Sequence, residues 1–129
     1  MSETNTQQER NWAMFCHLGA LSIWLGVPFG NIVIPLLLWL IKKDEIPLVN
    51  LEGKESLNFE ISISMYAIAI VLLGISALIF DSVDESFPWL ILLLLIALAI
   101  TQVVLVIIAA IKVSGGESFK YPLTIRFIQ

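Results

Sequence analysis

The sequence predicts an all-α polytopic membrane protein with four transmembrane helices, the first two short and paired as a hairpin. Three observations carry this prediction. Of 129 residues, 58% are hydrophobic and only 14% charged, against roughly 25% charged in an ordinary soluble domain. Almost every charge lies between long apolar runs, not within them. One run, Trp89 to Ile111, has no charge at all and exceeds the roughly 20 residues that cross a hydrocarbon core. So few charges cannot give a single domain a polar surface in water, and lipid is the solvent that fits.

Taken in order, residues 1–11 (MSETNTQQERN) form a polar tail without apolar periodicity. The tail has one basic residue against two acidic ones, and no small-x-small cleavage site follows, so it is not read as a signal peptide. Trp12 to Ile41 is apolar throughout. As one helix it would be about 45 Å long, too long for one crossing and too short for two. Its middle, Gly26-Val27-Pro28-Phe29-Gly30-Asn31, has turn chemistry: glycine frees the backbone and Pro28 biases Val27 away from helix. Two short helices, at about 12–26 and 30–42, are therefore expected. A polar cytoplasmic loop follows at 43–54, then a third helix at about 55–80. An acidic external loop at 81–87 leads to a fourth helix at about 88–112, with Pro88 in its first turn. Gly115-Gly116 ends that helix. The tail 114–129 alternates basic, aromatic and aliphatic residues and is expected at the interface. Phe119, Tyr121 and Phe127 would sit at headgroup level, with Lys120 and Arg126 on phosphates.

Orientation follows from the basic residues. The loop after the third helix has three acids and no Lys or Arg, so it belongs outside. Lys42, Lys43, Lys54, Lys112, Lys120 and Arg126 then face the cytoplasm, and a hairpin at 12–41 brings Arg10 and both termini there as well, whereas a single crossing would leave the N-terminus and Arg10 outside. The expected location is the bacterial inner membrane.

Polar groups inside apolar runs are expensive and therefore informative. They are His17, Asn58, Glu60, Ser62, Ser64, Thr101 and Gln102. Asn58 and Ser62 are four apart, as are Glu60 and Ser64, on neighbouring but distinct stripes of the third helix. A proton or cation path through His17 and Glu60 is one reading. The blander one puts Glu60 at the headgroup boundary and leaves the rest as interhelical hydrogen bonds. One histidine and one cysteine, Cys16, are too few for a metal site, and Cys16 reads as a small packing residue. The sequence shows no catalytic constellation and no phosphate loop. No catalytic, cofactor or metal residue is expected, and neither is a nucleic-acid partner, since no basic run occurs.

Four strings have a familiar order: Cys16-His17-Leu18-Gly19-Ala20-Leu21, Pro35 to Asp44, Gly53 to Ser62, and Tyr121-Pro122-Leu123-Thr124-Ile125-Arg126. Together they resemble a bacterial family of small membrane proteins of unknown function, the domain-of-unknown-function family numbered 4870. That family is grouped with the Tic-type translocon subunit of the chloroplast inner envelope. The resemblance implies four helices with both termini on one side, and no catalytic residues. It also singles out His17, Lys54, Glu55, Asn58, Tyr121 and Arg126 as motif positions. Glu60 stands where many such relatives are expected to have glutamine, which speaks against a general proton site there.

The leading expectation is a non-enzymatic scaffold or assembly partner that docks through its cytoplasmic face. Alternatives are an oligomeric channel or transporter of small solutes or ions, and a lipid-binding or bilayer-shaping protein. Besides the lipid bilayer, a second copy or another membrane protein is the expected partner, since four short helices bury little surface together.

Overall fold

A computed structural model describes residues 5–80 and 83–129, and these are helical without a strand. Helix α1 spans Gln7–Leu18, a 3-10 segment continues over Gly19–Leu25, α2 spans Gly30–Lys42, α3 Pro47–Ile79 and α4 Phe87–Ser114.

Helix α1 begins well before the apolar run. Thr6 accepts from the Glu9 amide at 3.2 Å while the Glu9 carboxylate accepts from the Thr6 amide at 2.8 Å. This reciprocal capping box satisfies two otherwise orphan donors. Residues 7–11, expected to be tail, are therefore helical. Past Leu18 the coil tightens, because α2 comes so near that a Cβ on Gly19 would sit 2.7 Å from Ile34 Cγ2. The chain then reverses through Gly26 and Phe29, both at positive φ (88° and 55°), so the turn falls where the glycine-proline chemistry predicted it.

Helix α3 starts at Pro47, not near residue 55 as expected. Proline suits the first helical position because its missing N–H has no intrahelical partner to lose. The extended Ile46 before it (φ −124°, ψ 103°) marks the boundary. The polar stretch 47–58 is thus the first three turns of a long helix, not a loop. At 33 and 28 residues, α3 and α4 are about 50 and 42 Å long. They form an antiparallel hairpin in which Gly74 lies against Ile91. Helix α4 ends as expected: Gly116 (φ 93°) donates to the Val113 carbonyl and Glu117 to that of Lys112, the Schellman pattern.

The core occupies one half of the molecule. Ala13, Cys16, Val49 and Val113 form one buried cluster; Ala20, Phe59, Val106, Ala109 and Tyr121 form the next. The other half is the bare α3–α4 hairpin, where Leu72, Leu73, Ile79, Phe80, Trp89 and Leu93 are all exposed. Only 11% of the most apolar window of α3 or of α4 is buried, so these are not core helices of a water-soluble domain.

Of the four helices, these two are long and apolar enough to cross a membrane. The α1–α2 hairpin stops short. Asn31, at the start of α2, bonds Ser64, fifteen residues before the end of α3 at Ile79, or about 22 Å at about 1.5 Å per residue.

Candidate functional site

The polar residues of α3 form three stripes at helical spacing, each facing a different partner. Glu52 and Ser56 face α1. Glu55, Asn58 and Ser62 face the C-terminal tail. Glu60 and Ser64 face α2 through Asn31, and nearer the start of the helix Gly53 lets Trp39 approach: a Cβ there would meet the indole Cδ1 at 2.6 Å.

On the first stripe, His17 lies between two chain segments distant in sequence. Its Nε2 is 3.1 Å from Glu52 Oε2 and its Nδ1 is 2.9 Å from the Tyr121 hydroxyl. A carboxylate only accepts, so a ring that carries its proton on Nε2 donates to Glu52 and can accept the Tyr121 hydroxyl proton at Nδ1. Burial, aided by the nearby carboxylates of Glu60, Glu52 and Glu55, pushes the Tyr121 phenol well above its ordinary value and keeps that proton in place. The Tyr121 ring stacks on Phe59 (4.0 Å, 8°) and meets Phe119 edge-on (5.0 Å, 88°). Glu52 Oε1 is buried without a partner among the described residues.

The second stripe clasps the tail. Glu55 Oε1 accepts from the Tyr121 amide at 2.8 Å and from Arg126 at 3.0 Å. Asn58 brackets Ile128, accepting from its amide and donating to its carbonyl, both at 2.8 Å. The Ser62 hydroxyl accepts from the Ile125 amide at 2.9 Å, and Lys54 donates to the Gln129 carbonyl at 3.0 Å. The tail folds back at Leu123 (φ 57°) and lies along α3. This corrects the expected headgroup-level placement of Tyr121, which is buried, while Arg126 meets the Glu55 carboxylate with its side chain still 46% exposed. An extended tail has unpaired backbone groups, and α3 supplies their partners.

The third stripe centres on Glu60, which is fully buried and not at an exposed boundary. It accepts from Asn31 Nδ2 at 3.0 Å and from Gln102 Nε2 at 3.0 and 3.2 Å. Trp24 Nε1 donates to Gln102 Oε1 at 2.9 Å. The 3-10 segment, α2, α3 and α4 therefore meet at this carboxylate, beside a cavity of about 270 Å³ lined by Trp24, Ala67, Leu95 and Leu98.

The structure gathers His17, Lys54, Glu55, Asn58, Tyr121 and Arg126 around one end of α3 and sets Glu60 a turn deeper among the helices. Thr101 takes no part and bonds back to the Ala97 carbonyl of its own helix. Sequence reasoning missed Glu52, Asn31 and Trp24. Extending α3 back to Pro47 would have exposed Glu52 as the i−4 neighbour of Ser56. Asn31 and Trp24 gave no signal, being read as part of the turn and of the apolar run. Among the described residues, no group of three or more His, Cys, Asp or Glu could hold a metal ion.

The protein is thus an all-helical chain with two helices of membrane-spanning character and a polar network locking one end. It belongs to the magnetosome magnetite crystal formation protein family, the MamF/MmsF family, whose pattern matches residues 8–128. This overturns the resemblance to the 4870 and Tic-type families. The strings that suggested it hold helix-packing residues, such as Gly53 under Trp39 and Asn58 on Ile128, and report how the helices pack. No curated protein and no solved structure matches the chain.

Proposed function

We propose that this chain serves magnetite crystal formation from within a membrane, as a non-enzymatic scaffold or assembly partner. The observation that carries this reading is its two-ended construction. One half is a bare apolar hairpin suited to lipid, and the other is a locked polar end carrying the basic side chains. At that end Lys42 lies over Trp12, Lys43 over Trp39 and Lys112 over Phe119, aromatic-basic pairs suited to a membrane surface. Arg10 packs against Gly116 there too, so α1 starts where α4 finishes. On this reading α3 and α4 cross the membrane and the α1–α2 hairpin enters from the cytoplasmic side and turns back within the bilayer. Its apolar tip, Leu25 and Phe29, is exposed and suits hydrocarbon.

A non-enzymatic role is supported by the closure of an arrangement among the described residues that resembles a catalytic relay. His17, Glu52 and Tyr121 are all buried, and the His17 ring bonds both of the others, with the hydroxyl spent on the ring. Native mass spectrometry of the protein released from its membrane in mild detergent tests the proposal. A defined oligomer or a stoichiometric companion is expected, and a bare monomer throughout would overturn it.

The cavity beside Glu60 favours a second reading, a route for small ions or solutes in an oligomer, since ionisable groups at membrane depth mark such pathways. Ion flux in liposomes, abolished by Glu60→Leu, would support it; oligomers without flux would exclude it.

A further inference from the structure

The cavity of about 270 Å³ beside Glu60 has a polar patch in an otherwise apolar lining. Asn31, Glu60, Ser64 and Gln102 make the patch and are joined to one another by hydrogen bonds. The polarity of those bonds is fixed from the side. The Trp24 indole only donates, so Gln102 turns Oε1 toward it and must present Nε2 to Glu60. Asn31 adds its Nδ2 at 3.0 Å. Both carboxyl oxygens therefore face N–H donors, a setting that favours the ionised carboxylate. Yet these partners are neutral amides, and no described Lys, Arg or His is ion-paired with Glu60. Glu60 is 0% exposed, and buried charges are ordinarily paired because no water stabilises them.

The missing partner is a cation, and the lining says of which kind. Among the described residues no group of three or more His, Cys, Asp or Glu could hold a metal ion. Leu95 and Leu98 beside the carboxylate suit instead an ammonium joined to an apolar body. The volume lies just below the roughly 300–1,000 Å³ of common ligand pockets, so the body is small. Ile23 and Trp24 line the cavity while remaining 39% and 57% exposed, so it is reached from the surroundings beside the 3-10 segment. A carboxylate has about four lone-pair sites, and three contacts reach this one, leaving room for a further donor.

We propose that this cavity binds a small primary ammonium with an apolar body, ion-paired to Glu60. Such a site is distinct from the scaffold role and from a solute route, since nothing need pass through it.

The test uses the full chain in mild detergent at neutral pH, with hexylammonium as the probe and uncharged hexanol, of the same chain length, as the comparison. Thermal unfolding reports occupancy, as does Trp24 fluorescence taken as the difference from Trp24→Phe. Wild type is expected to bind hexylammonium roughly tenfold or more tightly than hexanol. Glu60→Gln keeps its hydrogen-bonding capacity and should erase that preference. Ala67→Phe fills the cavity with the carboxylate retained and should abolish the response to both probes. Equal binding of the two probes by wild type overturns the proposal, as does an undiminished ammonium preference in Glu60→Gln. A wild-type response in folded Ala67→Phe also overturns it, by placing the ammonium outside the cavity. Ion flux in liposomes is read separately. Ammonium binding without flux supports a closed site, and flux without ammonium binding supports the route and overturns the ammonium site.

Discussion

The imidazole Nδ1 of His17 lies 2.9 Å from the hydroxyl of Tyr121, joining residues 104 positions apart inside the buried end of the bundle. Through this contact the first helix and the C-terminal tail hold each other, with Glu52 of α3 on the opposite ring nitrogen.

Tyr121→Phe should keep the stack on Phe59 and lose only the hydroxyl bond, lowering stability by about 1 kcal/mol. Tyr121→Ala should cost several times more, about 3–5 kcal/mol, because it also empties the aromatic cluster. Thermal unfolding in mild detergent compares them, and equal losses would assign the tail's anchorage to the hydroxyl alone.

Raising the pH should release the tail late. The folded phenol is held above its ordinary value, so the fold favours the protonated form. That contribution is intact below the unfolded phenol value of about 10 and is lost as pH climbs from there toward the folded value. In a Tyr66→Phe background, tyrosinate absorbance should stay flat through pH 10. A rise centred on the ordinary phenol value would show that Tyr121 is not buried in solution.

Glu60 should tolerate an amide better than a hydrocarbon. Glu60→Gln retains hydrogen-bonding capacity toward Asn31 and Gln102, whose amides can turn to suit it. Glu60→Leu leaves donors of both stranded, at about 1–3 kcal/mol for each unsatisfied group. Chemical or thermal unfolding of the two variants should therefore rank leucine clearly below glutamine.

Gly53→Val should force α2 away from α3, since even a single Cβ would lie 2.6 Å from Trp39 Cδ1. Overpacking of this kind costs about 1–3 kcal/mol. Increased protease cutting in the 43–46 connection would report the loosened pair, and a wild-type digestion pattern would argue against so close a contact.

Accessibility should distinguish a hairpin that turns back inside the bilayer from one that crosses it. In a Cys16→Ser background, Glu85→Cys and Ser114→Cys should react with an impermeant maleimide from opposite sides of a sealed vesicle. Leu25→Cys should react from neither. Labelling of Leu25→Cys from the Glu85 side would restore four full crossings.

Composition and hydropathy were enough to establish an all-helical chain with two long apolar helices. They also placed the reversal at 26–29 and the stop at Gly115-Gly116, because partition into lipid and permissive φ angles are properties of short stretches. The depth of the first hairpin, the true start of α3 and the course of the tail were not legible. The polar face of residues 47–58 looks like a loop until its partners on α1, α2 and the tail are known, since a polar helix and a polar loop share a composition. His17 and Glu60 were visible as anomalies, yet their partners Tyr121, Glu52, Asn31 and Gln102 lie 104, 35, 29 and 42 positions away respectively. Local chemistry determines which segments leave water. Which buried polar group finds which partner is decided only when the helices pack, because each must be satisfied by whatever the fold brings within hydrogen-bonding distance.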